Sequence, residues 1–242
     1  MRALAFCVSD WVWCTSASDL RCAGGVEARN TSAPVLELPP AERRRLNPLT
    51  SFALAAGERL VGGRSRDLLK ATPLVFGSSD GDGTVLLRLL SALRGHQPVS
   101  PTQFHNSVHN APAGYWSIGL GSQAPTTALA AGGDTVEVAL VEAGLQAVTR
   151  RGPVIMLATS RRFPQELEHA RPDLQDFTLA AWCEPADLDV GWRCVVSSDA
   201  QQCPAQTGSL ATAVRARGAD GLVGSRAVRH LAAVLTIAQV TP

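Results

Sequence analysis

The chain has 242 residues, of which 45% are hydrophobic and 18% are charged, so its composition is that of a globular protein with a sizeable core. Its 22 basic and 21 acidic side chains leave a formal net charge of +1, which argues against a nucleic-acid-binding protein. No apolar run reaches the length of about 18 residues that a transmembrane helix needs, so we expect no membrane span.

The first part of the sequence alternates strands and helices, which is typical of an α/β domain. In chain order we predict strands at residues 3–8, 11–13, 73–76 and 154–158, and helices at residues 48–60, 84–93, 104–110 and 135–148. Asn47 is a good N-cap and Pro48 a good first residue for the helix that ends near Gly62. Asp134 should cap the helix at residues 135–148, and Leu145 should lie on its inner side.

The C-terminal part has a different pattern. Residues 177–182 and 191–196 are separated by a polar loop and predict an antiparallel hairpin. Residues 209–216 and 225–238 are predicted to be helical. We therefore expect a single domain over residues 1–242, with its core at about residues 40–200 and a helical tail at about residues 209–242.

The N-terminus and the cysteines favour a cytoplasmic protein. The apolar stretch that begins at Ala3 is interrupted by Ser9 and Asp10, which leaves it too short for a signal peptide. The six cysteines form no C-x-x-C pair, and a chain of this length needs no disulfides for stability. We therefore expect free thiols, no metal site and no cofactor.

One local motif could carry hydrolase chemistry. Gly77, Ser79 and Gly81 fit the G-x-S-x-G pattern between a strand and a helix, where a serine hydrolase places its nucleophile. Asp176 and His230 follow in the right chain order for a triad. No segment resembling an oxyanion hole precedes the motif, and short glycine turns match the pattern by chance, so we favour a structural turn for Ser79.

Two further patterns have simple structural explanations. His105 and His109 are spaced to share one face of a helix, but the glutamate that a zinc protease places after the first histidine is replaced by Asn106. Three successive arginines at residues 43–45 could bind an acidic partner. Solvated polar side chains explain both patterns more simply.

Several segments, in the same order along the chain, resemble β-ketoacyl synthases. They are R-R-R-L-N-P at residues 43–48 with F-A-L-A-A at 52–56, V-F-G-S-S-D-G at 75–81, S-P-T-Q-F at 100–104, and S-V-H-N-A-P-A-G at 107–114. Residues 127–135 resemble the strand and nucleophile turn of that family. The resemblance covers roughly residues 40–200 and is strongest with short ketosynthase-like proteins grouped with chain length factors.

The resemblance implies both a fold and a loss of activity. The implied fold is the N-terminal half of a thiolase-like fold, a three-layer α/β/α unit. Ketosynthases place a cysteine at the N-terminus of the helix that follows the nucleophile turn, where the helix dipole lowers its pKa. This sequence has Ala131, Gly132 and Gly133 there. The catalytic histidines of the family belong to its C-terminal half, most of which the sequence does not reach.

The favoured hypothesis is a catalytically inactive, chain-length-factor-like subunit of type II fatty-acid or polyketide synthesis, of the aryl polyene or xanthomonadin type. Its expected partners are an active ketosynthase, acyl-carrier protein or a second copy of itself. The expected interface or acyl-pocket residues are Phe104, Val108, His109, Asn110, Tyr115 and Trp116. Alternatively, the aromatic residues of this set fill the core. The other hypotheses are a serine hydrolase or acyltransferase that uses Ser79, and a decayed relative that only scaffolds.

Overall fold

A single mixed sheet runs through the described part of the chain, which is residues 4–15, 20–24, 34–186, 191–197, 209–228 and 233–240 of a computed structural model. Its nine strands are β1 (Leu4–Cys14), β2 (Leu20–Gly24), β3 (Leu74–Gly77), β4 (Thr126–Leu129), β5 (Val154–Ser160), β6 (Phe177–Pro185), β7 (Gly191–Ser197), β8 (Gly224–Val228) and β9 (Ala233–Val240). Their order across the sheet is β4-β3-β5-β6-β1-β7-β9-β8, with β2 paired to β1. β3, β4 and β5 are parallel, and all other pairs are antiparallel.

Helices flank this sheet. They are α1 (Pro40–Arg45), α2 (Pro48–Val61), α3 (Arg66–Ala71), α4 (Gly83–Arg94), α5 (Pro101–Ser107), α6 (Ala111–Leu120), α7 (Thr135–Arg150) and α8 (Leu210–Arg217). The predicted start of α2 is confirmed, because the Thr50 N–H donates to Asn47 Oδ1 at 2.6 Å. α7 begins at Thr135 as predicted, but Asp134 makes no capping hydrogen bond through its side chain. None of the helices in the described residues is long and apolar enough to cross a membrane.

The central strand β5 shows why the fold has three layers. Its side chains alternate between the two faces of the sheet and are buried on both. Met156 and Ala158 pack into the core on the α7 and α8 side, whereas Ile155 and Leu157 pack into the core on the α2 and α6 side. The fully apolar strand predicted here is therefore confirmed, and so is the three-layer α/β/α class.

The predicted hairpin of β6 and β7 is wrong. Both strands pair with β1, which lies between them. β1 is one continuous strand with a register shift between Val8 and Asp10, and not two short strands. A polar loop between two strands indicates a hairpin only when no third strand competes for the position between them, and here the competing strand comes from the far end of the chain.

The predicted helical tail is only half right. The helix predicted at residues 209–216 is α8, and the side chain of Ser209 caps its N-terminus by accepting from the Thr212 N–H. The residues predicted as a second helix form β8 and β9 instead, and β9 extends the sheet by pairing with β7 along its whole length. Alanine and leucine give this segment a helical appearance, but an open sheet edge satisfies its backbone and buries Leu235 and Ile237. His230 lies outside the described residues.

Candidate functional site

The turn between β4 and α7 lies where the parallel strands end. The Ala131 N–H donates to Thr135 Oγ1 at 3.0 Å, and Thr135 Oγ1 donates to the Gly132 carbonyl at 2.7 Å. These two bonds close the turn on the first residue of α7. The positive end of the dipole of the 16-residue helix α7 therefore faces the turn. Ketosynthases place their nucleophilic cysteine at such a helix end.

No side chain in this turn carries a thiol. Ala131 is a buried methyl group, and Gly132 has a positive φ of 53°, which favours glycine. A Cβ built on Gly133 would have no neighbouring atom within 4 Å, so the position has room for a side chain that the sequence does not supply. The turn that the resemblance assigns to the nucleophile thus lies at the N-terminus of α7 and contains no thiol.

A cavity of about 190 Å³ opens beside the turn; we call it the turn cavity. Its walls combine the start of α7 with the end of β5, the loop at residues 161–176 and the start of α8. Its polar lining includes Ser79, Ser160, Arg171 and Arg215.

Arg171 holds the loop at residues 161–176 against the glycine-rich turn between β3 and α4, residues 77–83. Its guanidinium forms ion pairs with Asp80 and with Asp173, the latter at 2.9 Å. The hydrogen bond from Arg171 holds the pKa of Asp173 below its ordinary value. Phe163 of the same loop packs so closely on Gly83 that a Cβ there would clash with the ring. Asp80 is thereby fixed as a structural anion.

Ser79 lines the turn cavity, but the described residues do not build a triad around it. Asp176 Oδ1 lies 3.3 Å from Arg161 Nε and accepts from the Arg162 N–H. A nucleophile elbow places its serine on a strained turn, whereas the positive-φ residues other than glycine in the described chain are His96 and Arg151. The predicted third member, His230, lies outside the described residues.

We expect Ser79 to be unreactive towards a fluorophosphonate probe, because no base among the described residues activates its hydroxyl. The measurement is the mass of the native protein after treatment, with a known serine hydrolase treated in parallel. Labelling that disappears in Ser79→Ala but persists in Ser78→Ala would instead support the hydrolase hypothesis.

Four of the six predicted interface or acyl-pocket residues, the large apolar and aromatic ones, fall into two groups. Tyr115 and Trp116 belong to the inner face of α6, are each only 1% exposed and lie in the core rather than on a free surface, as the alternative interpretation expected. The Tyr115 hydroxyl donates to Asn106 Oδ1 at 3.0 Å, and burial raises its pKa. Phe104 and Val108 are 62% and 42% exposed and remain candidates for contact with a partner.

His105 and His109 do not share a helix face, because α5 ends at Ser107. The His109 ring packs edge-on against Phe76, and its Nε2–H donates to the Ser78 carbonyl at 2.7 Å. His105 packs edge-on against Tyr115. His109 thus ties the start of α6 to the glycine-rich turn, and within the described residues no cluster of potential metal ligands was found.

The cysteines with described side chains, Cys7, Cys14, Cys183 and Cys194, are buried in the sheet. Cys183 and Cys194 are free thiols. Burial raises the pKa of Cys183 and of Cys194 well above the ordinary value, so both stay protonated at neutral pH. Neither thiol replaces the missing nucleophile.

One exposed surface was missed by sequence reasoning; we call it the β4 edge. Among the described strands β4 is the terminal one, so one side of its backbone faces no described strand. Gln146 of α7 donates to Thr127 Oγ1 at 2.9 Å, whereas Leu145 of the same helix is exposed and points away from the sheet. Ile118 of α6, which packs near β4 on the other face, is also exposed. Leu145 was predicted on the inner side of its helix, and that prediction is wrong.

Comparison with known proteins agrees with this architecture. The model of the β-ketoacyl synthase N-terminal domain matches residues 13–232. No curated protein sequence matches the chain.

Three solved structures are similar in fold. A ketosynthase (ApeO) in complex with its chain length factor (ApeC) from Xenorhabdus doucetiae aligns with a TM-score of 0.60 and 20% identity, over 80% of this chain and 83% of that chain. The ishigamide ketosynthase/chain length factor aligns with a TM-score of 0.58 and 16% identity, over 83% of this chain and 69% of that chain. A type II polyketide acyl-carrier protein in complex with its ketosynthase, AntDE:AntF, aligns with a TM-score of 0.51 and 10% identity, over 76% of this chain and 63% of that chain.

Proposed function

Because the chain belongs to the family of β-ketoacyl synthase N-terminal domains, we propose that it is an accessory subunit of the chain-length-factor type. It pairs with an active ketosynthase in type II fatty-acid or polyketide synthesis in the cytoplasm and works with an acyl-carrier protein. The motifs at residues 100–114 point to the aryl polyene or xanthomonadin type of pathway. One observation carries the proposal: β4, its turn and α7 form a strand–turn–helix unit of the kind that the resemblance to ketosynthases implies for the nucleophile, and Ala131, Gly132 and Gly133 in that turn offer no thiol.

The chemistry follows from that turn. Condensation by a ketosynthase begins when a thiolate at the helix N-terminus accepts an acyl group. Alanine and glycine have no atom that can form the thioester, and the thiols of Cys183 and Cys194 are buried and protonated. The subunit therefore contributes surface and shape to a complex whose chemistry takes place on the partner.

The β4 edge is the surface we propose for the ketosynthase. The open side of β4 can hydrogen-bond to a strand of the partner, and Ile118 of the neighbouring helix α6, which is 48% exposed, would be covered beside it. The expected partner is thus one that presents a complementary strand edge with apolar flanks. A second copy of this chain is the alternative occupant.

Acyl transfer tests the missing chemistry. The purified chain, incubated with acylated acyl-carrier protein, should keep its mass, while an active ketosynthase treated in the same way should gain one acyl group. Intact mass spectrometry makes the measurement. A stable acyl adduct on the native chain would contradict the proposal, and peptide mapping would identify the nucleophile.

Pairing tests the accessory role. Co-expressed with the ketosynthase encoded beside it, the chain should elute as a heterodimer in size-exclusion chromatography with light scattering. A glutamate on α6 beside the β4 edge, Ile118→Glu, should weaken this pairing by at least about tenfold, because it buries a charge without a partner. Leu90→Glu is the matched control, since Leu90 is 46% exposed but lies on α4, away from the sheet edge. A chain that stays monomeric with every ketosynthase tested would refute the proposal.

A further inference from the structure

The turn cavity lies where the carboxyl ends of the three parallel strands meet. Ser79 follows β3, Gly132 follows β4 and Ser160 is the last residue of β5, and all three residues line the cavity. β3 lies between β4 and β5 in the sheet, although the chain passes through β3, β4 and β5 in that order. Open α/β sheets bind their ligands outside the carboxyl ends of the strands, at such a change in strand order. The cavity therefore has the position of a ligand site.

The lining of the turn cavity combines apolar side chains with hydroxyl groups. Val136, Leu174 and Phe177 supply apolar surface, and Ser79 and Thr212 supply hydroxyl groups. No hydrogen bond joins the Ser79 hydroxyl to another residue that the structure describes, so this hydroxyl is available to a ligand. A lining of this kind suits a molecule that has a polar end and a short apolar part.

Arg215 of α8 gives the turn cavity its charge. Within the described part of the chain no carboxylate pairs with Arg215. The other arginine of the lining, Arg171, is neutralised by Asp80 and by Asp173, and Asp173 also lines the cavity. The start of α7 adds the positive end of its helix dipole. The cavity is therefore complementary to a ligand with a single negative charge.

The volume of the turn cavity limits the size of that ligand. The cavity measures about 190 Å³. In another protein a cavity of about 150 Å³ takes up one benzene molecule, so the ligand here is a small molecule.

From position, lining, charge and volume together we infer that the turn cavity binds a small free carboxylate. Arg215 and the hydroxyl groups hold the carboxylate, and the short carbon chain lies against Val136, Leu174 and Phe177. Inorganic phosphate fits less well, because it carries more charge than one arginine compensates and leaves the apolar surface uncovered.

Butyrate is the probe, and isothermal titration calorimetry with the full chain makes the measurement. Butyrate should bind saturably, whereas its neutral analogue butyramide and inorganic phosphate should each bind at least about tenfold more weakly. Arg215→Gln should weaken butyrate binding by at least about tenfold, and Arg215→Lys should leave most of it. Arg217→Gln is the matched control, because Arg217 is the exposed last residue of the same helix and does not line the cavity.

Filling the cavity provides a second test that does not depend on charge. Gly133→Leu should abolish butyrate binding, because Gly133 lines the cavity and a Cβ there meets no neighbouring atom within 4 Å. Gly152→Leu is the matched control, since a Cβ on Gly152 is equally free and this residue lies just beyond the other end of α7. Circular dichroism checks that each variant is folded.

The carboxylate site does not rest on the proposed accessory role, and the variants separate the two. Ile118→Glu should bind butyrate as the wild type does, and Arg215→Gln should pair with the ketosynthase as the wild type does. The carboxylate site would be overturned if the wild type showed no saturable binding, or if Arg215→Gln or Gly133→Leu bound butyrate as tightly as the wild type. Butyramide that binds as tightly as butyrate, or phosphate that binds more tightly, would also overturn it, since either result identifies a different ligand chemistry.

Discussion

Replacing Trp116 by alanine should lower the free energy of unfolding by about 3–5 kcal/mol, the range for removing a large aromatic side chain from a packed core. Trp116 is 1% exposed and lies where α6 crosses α2. Its ring fills the space above Gly57 so closely that a Cβ on that glycine would clash with it. The alanine variant would leave a cavity that neither helix can close without moving.

Chemical denaturation of the isolated chain measures this loss, and Phe104→Ala is the matched control. Phe104 is 62% exposed, so its removal should change the stability by less than about 0.5 kcal/mol. If Trp116→Ala were neutral for stability but abolished pairing with a ketosynthase, Trp116 would be an interface residue after all, and the core assignment would be wrong.

Replacing Arg64 by methionine should lower the free energy of unfolding by about 3–5 kcal/mol, because it leaves the charge of Asp10 buried without its main partner. Asp10 lies on β1 beside the register shift and is 2% exposed. Arg64 forms an ion pair with it, donates to the Leu60 carbonyl at 2.9 Å, and stacks its guanidinium 3.9 Å from the centre of a Trp182 ring. The pair joins the sheet to the end of α2.

A second substitution distinguishes the buried charge from lost packing. Adding Asp10→Val to Arg64→Met should restore most of the stability, since an apolar pair of suitable shape often replaces a buried ion pair without loss. Valine suits the strand, and the methionine sulfur can rest on Trp182. If the double variant were as unstable as Arg64→Met alone, the packing of Arg64 on Trp182, and not the ion pair, would carry the stabilisation.

Only one part of the candidate site, the turn between β4 and α7, could be predicted from the sequence. The absence of a thiol at residues 129–134 could be read directly, but only the resemblance to ketosynthases indicated that these residues form the nucleophile turn. The β4 edge could not be found in this way. A strand pattern does not tell whether the strand lies at the end of a sheet, and only the pairing of β4 with β3 alone among the described strands shows it.

The sequence by itself determined the elements whose signals are local. The cap at Asn47, the apolar run at residues 154–158 and the small residues of the nucleophile turn each predict their structure from neighbours along the chain. The tertiary structure alone decided the pairings that join distant residues. β1 lies between β6 and β7 and pairs with both, and β9 forms a strand because its backbone pairs with the other edge of β7. Backbone hydrogen bonding in a sheet is non-local, so propensity along the chain could not choose these partners.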